Sequence, residues 1–290
     1  MTPGSLTLAS GGARAVVARH GAEALSWSVG GRDLLWPGDP AIWAQVSPIL
    51  YPVVGWTRDG ARVAGRRYPL GLHGFASEQD FEVEAARADF ARLTLSDNAA
   101  TRALYPFAFR LTVEYRLSAD ALAIALEVDN PGAAPAPYAC GLHPGFRWPF
   151  AGGPRQGARV RFQREESPEI PVIAPGGLVA AQKRALPLRG RELALSEELF
   201  AHDALCFLYP ASRSLRFEEP SAAIEMDFSG FDHAALWTRP GAPFLCLEAW
   251  TGYSDPEGFA GDLFEKPSMR TLRGGERARH EATYRFLAAS

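Results

Sequence analysis

The stretch that decides the fold runs from residue 107 to residue 128 and reads FAFRLTVEYRLSADALAIALEV. In its first half, residues 107–117, every second side chain is apolar and the intervening ones are charged or small. A period of two residues is typical of a half-buried β-strand. The alternation stops at a turn over residues 118–120 and resumes over residues 122–128. We therefore predict a long antiparallel hairpin here.

The same pattern of short apolar runs and turns recurs along the rest of the chain. Strands are predicted at residues 25–29 and 34–36, on either side of a Gly30-Gly31 turn, and at residues 81–83, 93–95 and 215–217. One short helical turn is predicted at residues 196–200, and no regular succession of helices suggests a parallel sheet. We predict an all-β fold, a large antiparallel β-sandwich, and a single domain over residues 1–290, because no linker-like tract divides the chain.

Composition excludes several classes of function. The chain has 290 residues, 47% of them hydrophobic, and a formal net charge of −3. This charge gives no positive field for nucleic acid or an anionic membrane, and no apolar run is long enough to span a bilayer. The three cysteines, Cys140, Cys206 and Cys246, lack metal-site spacing and lie in apolar contexts, which indicates buried, reduced thiols. We predict a soluble cytoplasmic protein that binds neither nucleic acid nor membrane.

Three distant segments each place one acid-base side chain beside glycine or an aromatic residue. They read GLHGF at residues 71–75, GLHPGF at 141–146 and CLEAW at 246–250. The shared Gly-Leu-His frame suggests that His73 and His143 serve one pocket. Glu248 stands in an apolar run, where a buried carboxylate is costly without a function or a partner. These three residues are the candidate catalytic groups.

Two imidazoles and one carboxylate suit proton transfer on a sugar. Opening the ring of a free aldose requires a base at the anomeric hydroxyl and an acid at the ring oxygen. Glu248 can act as the base and His143 as the acid, and each contributes roughly 10²- to 10⁴-fold to the rate. This chemistry needs no metal, cofactor or covalent intermediate. Aromatic residues near the three segments are predicted to enclose the sugar: Phe75, Phe146, Trp148 and Trp250.

Six short motifs then occur in a fixed order: SPILYP at residues 47–52 with Gly55, HGFA at 73–76, YPF at 105–107, HPGF at 143–146, HDAL at 202–205, and CLEAW at 246–250 with Gly252 and Asp255. In this order they resemble the aldose 1-epimerase (galactose mutarotase-like) family, in its LacX-like branch. The resemblance implies a supersandwich fold with the sugar on its concave face. It also implies that Glu248 is the essential glutamate, His143 the proton donor, His73 the other active-site histidine and Asp203 a sugar-binding residue.

The chain departs from that branch at three positions. Trp56 stands where a pocket arginine is usual, Ser77 where arginine is frequent, and Ala249 where proline is usual. We expect Arg58 to point to the same face as residue 56 if the segment is a strand, so that it could replace the missing arginine. A phosphorylated substrate would need such guanidinium groups, and the identity of the sugar stays open.

The leading hypothesis is a cofactor-independent and metal-independent isomerase that interconverts the α and β anomers of a free aldose, with a small-molecule sugar as its partner. The first alternative is a noncatalytic carbohydrate-binding or sugar-sensing β-sandwich, which the three departures motivate. A more remote alternative is a polysaccharide lyase or hydrolase on a similar sandwich. The sequence leaves open which aldose is used, the anomer preference and the oligomeric state.

Overall fold

A computed structural model describes residues 4–288 of the chain. Strands make up 49% and helices 6%, and all strand pairs in the sheets are antiparallel. The all-β antiparallel prediction is therefore confirmed.

Two large sheets and several small ones contain the strands, which are numbered in chain order. The largest sheet has nine strands in the pairing order β18 (Glu192–Ala194), β15 (Arg159–Phe162), β20 (Ser214–Glu219), β21 (Ala222–Asp227), β25 (Arg277–Ala288), β11 (Ala121–Asp129), β10 (Arg110–Leu117), β9 (Phe90–Ser96) and β8 (Glu82–Arg87). The second has six, in the order β19 (Leu205–Leu208), β22 (His233–Trp237), β23 (Phe244–Trp250), β13 (Gly141–Leu142) and β5 (Ile49–Leu50), with β14 (Gly145–Arg147) also paired to β23.

The smaller sheets and the helices complete the elements. One sheet has four strands, β1 (Ser5–Ser10), β2 (Ala13–Ala18), β3 (Ala24–Val29) and β4 (Arg32–Asp33). Two-stranded sheets pair β6 (Ala61–Val63) with β7 (Arg66–Tyr68), β12 (Ala136–Tyr138) with β24 (Arg270–Leu272), and β16 (Glu169–Ala174) with β17 (Leu178–Ala185). The helix α1 spans Ala99–Leu104, and 3₁₀ turns span Ala76–Glu78, Glu197–Phe200 and Leu263–Glu265. The helical turn predicted at residues 196–200 is confirmed.

The predicted hairpin is formed by β10 and β11, which pair with Leu117 opposite Leu122 and Arg110 opposite Asp129. The first strand begins three residues later than predicted. Residues 105–109 instead connect α1 to β10, and the backbone N–H of Phe109 donates to the Asp97 carboxylate over 3.0 Å. Asp97 also donates its backbone N–H to the carbonyl of Phe109 over 3.1 Å, so Phe109 is bonded to the residue that follows β9 although it lies outside β10.

Two other sequence expectations need correction. Residues 34–36 are not a strand; a single bridge between Leu35 and Phe146 joins them to β14. The helix α1 was not predicted, although Asn98 and Thr101 form a capping box at its start. Helical periodicity is difficult to recognise over six residues, so the cap was the available signal.

The nine-stranded and six-stranded sheets face each other across the main core. The rings of Phe146 and Tyr284 lie 5.4 Å apart, and the Tyr284 hydroxyl donates to the backbone carbonyl of Leu247 over 3.2 Å. Leu245, Leu247 and Ala249 of β23 belong to this core. The alternate side chains of β23 project from the opposite face of the sheet. That opposite face carries Glu248 and Trp250.

The histidine of β22 has a structural role. His233 is fully buried, and its Nδ1 accepts the backbone N–H of Tyr209 over 3.1 Å. Burial lowers the pKa of His233 to about 4.

The pKa of His233 predicts a pH-dependent contribution to stability. In the unfolded chain the imidazole titrates near 6.5, so the unfolded state binds the extra proton between about pH 6.5 and 4. The stability that the neutral, buried His233 contributes is therefore complete above pH 6.5 and is lost as the pH falls to about 4. We expect the stability advantage of the wild type over His233→Gln to shrink by about 3 kcal/mol between pH 7 and pH 4. Urea unfolding of both proteins across this range measures it, and a constant difference would contradict it.

Candidate active site

His143 lies beside Glu248 because two short strands pair with β23 on either side of it. In β13 Leu142 is opposite Ala249, and β14 resumes with Gly145 opposite Cys246. His143 therefore falls in the gap between these pairings. Its Nε2 is 3.1 Å from Glu248 Oε2.

Close packing of two indoles explains why glycine stands at positions 141 and 145, on either side of His143. A Cβ on Gly141 would lie 2.8 Å from the Trp250 ring, and one on Gly145 would lie 2.7 Å from the Trp43 ring. Only glycine allows these indoles to approach so closely. The indole of Trp250 in turn donates its Nε1–H to Glu248 Oε2 over 3.1 Å, while Oε1 has no hydrogen bond to any residue between 4 and 288.

His73 is held in a single tautomer by the loop that carries it. The backbone N–H of Gly55 donates to His73 Nδ1 over 3.0 Å, and the His73 N–H donates to the Gly55 carbonyl over 2.9 Å. Since Nδ1 is an acceptor, the neutral ring carries its proton on Nε2. The backbone of His73 has φ +60°. Its ring centroid is 5.6 Å from that of His143.

Burial sets the protonation of the catalytic candidates. Desolvation raises the pKa of Glu248 well above its ordinary value, and desolvation with the neighbouring His73 lowers the pKa of His143 to about 3. Desolvation and the charge of Lys266 lower the pKa of His73 to about 4. Burial thus favours a protonated Glu248 carboxyl group beside a neutral His143 imidazole, so that the pair shares one proton, and it favours a neutral His73.

All four candidate residues from the sequence line one cavity of about 860 Å³: His73, His143, Asp203 and Glu248. Asp203 follows the 3₁₀ turn Glu197–Phe200 and has φ +73°. One of its oxygens accepts the backbone N–H of Ala204 over 2.7 Å. Its negative charge contributes to the raised pKa of Glu248, so it lies within electrostatic reach of the catalytic pair.

The structure corrects two expectations about the cavity wall. Arg58 lies in a loop and not in a strand, its backbone N–H donates to Asp255, and it does not line the cavity. Phe146 and Trp148 pack in the sandwich core, because β14 turns these side chains away from the cavity. Phe75 and Trp250 line the cavity as expected.

Sequence reasoning missed the two tryptophans that enclose His143. The rings of Trp43 and Trp237 lie 5.3 Å and 5.6 Å from the imidazole, and both line the cavity. Trp237 is two residues beyond Ala235, which is opposite Glu248. Strand alternation therefore places Trp237 on the same face of the sheet as Glu248. The period of two residues in the sequence could have predicted this position. Trp43 lies in a loop without such a pattern.

A buried ion pair supports the loop beneath His73. Lys266 Nζ is 3.1 Å from Asp255 Oδ1, and the two side chains are 0% and 3% exposed. The other oxygen of Asp255 accepts the backbone N–H of Arg58 over 2.7 Å. The ion pair thus fixes the backbone at Arg58, three residues after Gly55. Gly55 is the residue whose N–H binds His73.

Three further features of residues 4–288 bear on the function. Cys140, Cys206 and Cys246 are buried free thiols, and burial raises the pKa of each. In this part of the chain no group of three or more His, Cys, Asp or Glu side chains is arranged to hold a metal ion. No helix within it has the length and apolarity needed to cross a membrane.

Comparisons with known proteins agree on one family. The aldose 1-epimerase family model matches residues 4–285. Protein LacX (chromosomal) of Lactococcus lactis subsp. lactis is 31% identical over 252 residues, which are 82% of this chain and 84% of LacX.

Two solved structures share the fold over nearly their whole length. A galactose mutarotase-like protein from Lactobacillus casei has a TM-score of 0.89 and 26% identity, covering 98% of this chain and 100% of the other. A galactose mutarotase related enzyme from Lactobacillus acidophilus has a TM-score of 0.88 and 25% identity, covering 99% and 98%. The family model and the LacX relative, which span most of the chain, show that this protein belongs to the aldose 1-epimerase family.

Proposed function

We propose that the protein is an aldose 1-epimerase that interconverts the α and β anomers of a free aldose. The observation that carries the proposal is the contact between His143 Nε2 and Glu248 Oε2, at 3.1 Å inside a large cavity. The two oxygens that react are both attached to the anomeric carbon. A base and an acid that serve them must therefore lie close together, as these two groups do.

The proton count of the pair fits this reaction. The reactive form has an ionised Glu248 and a protonated His143, which arise from the resting pair when its one proton moves from Oε2 to Nε2. Glu248 then takes the proton of the anomeric hydroxyl, His143 gives its proton to the ring oxygen, the C1–O5 bond breaks and C1=O1 forms. The pair is now neutral, which is the state that burial favours. Rotation about C1–C2 and the reverse transfers close the other anomer.

His73 and Asp203 have supporting roles in the proposal. The Nε2–H of His73 donates a second hydrogen bond to the ring oxygen and stabilises the charge that develops there. Since its Nδ1 is already occupied by the Gly55 N–H, His73 does not compete with His143 as the acid. Asp203 accepts hydrogen bonds from ring hydroxyls through the oxygen that Ala204 leaves free.

Freshly dissolved α-glucose or α-galactose tests the proposed function. We expect the protein to speed the approach to anomeric equilibrium, followed by polarimetry or by NMR exchange spectroscopy. An unchanged rate for a panel of aldoses and sugar phosphates would contradict the proposal. Sugar binding in calorimetry together with an unchanged rate would favour the noncatalytic carbohydrate-binding alternative.

The role of His73 is tested by His73→Asn. Asparagine tolerates a positive φ, and its Oδ1 can accept the Gly55 N–H in place of Nδ1, so the loop is preserved. The variant loses only the donor on Nε2. We expect kcat/KM for anomer exchange to fall about 10²-fold, with an unfolding midpoint close to that of the wild type. Full activity of a correctly folded variant would remove His73 from the mechanism.

A further inference from the structure

The cavity is larger than a single sugar ring requires. Its volume of about 860 Å³ is at the upper end of the range of about 300–1,000 Å³ that holds drug-sized ligands, and a hexose has only twelve non-hydrogen atoms. A second cavity of about 620 Å³ shares Ile173, Gly177 and Asp203 with the first. The candidate site thus continues past Asp203 into the second cavity.

An exposed indole lies where the two cavities meet. Trp56 is 41% exposed and lines the first cavity. Its Cδ1 would be only 2.3 Å from a Cβ on Gly177, so the ring lies directly against a residue that lines both cavities. An exposed indole in a cavity wall offers an apolar face on which a ligand ring can pack.

Two hydrogen bonds fix the backbone of Trp56. The backbone N–H of Trp56 donates to Ser254 Oγ over 3.0 Å, and its carbonyl accepts the Asp255 N–H over 2.9 Å. Its Nε1–H donates to none of the residues between 4 and 288. An aromatic face with one free donor suits a sugar ring, whose C–H groups pack on the face while a hydroxyl accepts the N–H.

The charges at the cavity wall favour a neutral ligand. Arg239 is the one arginine that lines the first cavity, and its side chain has no partner among the described residues. Glu78 and Asp203 line the same cavity, and Arg184 lines the second one, so neither wall has a cluster of guanidinium groups among the described residues. A phosphate monoester, which binds best to such a cluster, is disfavoured.

We infer that this cavity binds the reducing end of a neutral glycosylated aldose, such as a disaccharide, with its second ring on Trp56. The inference rests on the proposed function, because the catalytic pair fixes where the anomeric carbon of the reducing ring lies. A substituent on O4 of the reducing ring is attached on the side of the ring opposite C1. It therefore points away from His143 and Glu248, and we place it past Asp203, toward the second cavity, where Trp56 lies against Gly177. Trp56 selects the substrate and takes no part in proton transfer.

Calorimetry with glucose, maltose, cellobiose and lactose tests the second-ring site without reference to turnover. We expect at least one of the disaccharides to bind the wild type about 10-fold more tightly than glucose. Trp56→Ala should remove this preference and leave glucose affinity within about twofold. Trp56→Phe, which keeps an aromatic face, should restore part of it. Glucose 6-phosphate should bind no better than glucose.

A matched control is Phe264→Ala. Phe264 is 43% exposed and packs against Phe107, and it does not line the cavity. This variant should retain the disaccharide preference. Disaccharides that bind no more tightly than glucose, or a Trp56→Ala variant that weakens all sugars alike, would overturn the inference.

NMR exchange spectroscopy on the same samples separates this inference from the proposed function. Accelerated exchange of glucose with no role for Trp56 would overturn the second-ring site alone. Trp56-dependent disaccharide binding with no accelerated exchange would overturn the enzymatic proposal alone.

Discussion

Replacing Glu248 with glutamine should reduce the catalysed rate of anomer exchange by at least about 10²- to 10⁴-fold. Glutamine keeps the shape of the side chain and can still accept the Trp250 N–H, but it cannot take up a proton. The fold should tolerate the change, because burial favours the protonated, uncharged form of Glu248, and glutamine is likewise uncharged. We therefore expect loss of activity without loss of stability. NMR exchange spectroscopy and urea unfolding of the same variant measure the two effects.

Glu78→Gln is the matched control for this substitution. Glu78 lines the same cavity but is exposed at its rim. Its replacement should leave the exchange rate within about twofold, since it is far less desolvated than Glu248. Equal losses in both variants would point to the overall charge of the cavity and away from a specific base. An active Glu248→Gln enzyme would remove Glu248 from the mechanism altogether.

Replacing Lys266 with methionine should destabilise the protein by about 3–5 kcal/mol. The substitution keeps the length of the side chain but removes the only charge that pairs with the buried carboxylate of Asp255 in residues 4–288. An uncompensated buried charge is far more costly than an absent ion pair. The free energy of unfolding, from urea denaturation at pH 7, measures the loss.

The double variant Lys266→Met, Asp255→Asn distinguishes two effects: the loss of the ion pair itself and the cost of leaving the Asp255 carboxylate buried without a partner. Asparagine can still accept the Arg58 N–H, so the loop beneath His73 keeps its hydrogen bond. We expect the double variant to recover most of the stability that the single variant loses. Equal stability of the two variants would contradict the argument. Loss of the Lys266 charge should also raise the pKa of His73, which NMR titration of the imidazole can follow.

Local sequence patterns predicted much of the fold. The alternation over residues 107–117 and 122–128 predicted the hairpin that β10 and β11 form, because one face of each strand packs on the core and the pleat repeats every two residues. Residues 34–36 and 107–109 show the limit of this reasoning. A short apolar run or an apolar residue at every second position indicates an extended chain, but pairing depends on which neighbouring strand is within reach.

Short sequence motifs identified the candidate site residues. They predicted only some of the other residues that line the cavity. His73, His143, Asp203 and Glu248 line one cavity, while their chemical roles stay predictions. The sequence pattern that placed Glu248 on one face of a strand could also have placed Trp237 beside it. Arg58 does not line the cavity, because its segment is a loop and lacks the strand alternation that would turn residues 56 and 58 to the same face.

The sequence by itself determined the all-β class, the central hairpin and the acid-base residue types, since each depends on neighbours a few positions apart. The tertiary structure decided which distant residues share a cavity, because loop closure and sheet pairing bring together positions as far apart as 56, 177 and 203. It also decided the protonation of the site. Burial and the charges of Lys266 and Asp203 shift the pKa values of His73 and Glu248, and neither burial nor a distant charge can be deduced from the order of residues alone.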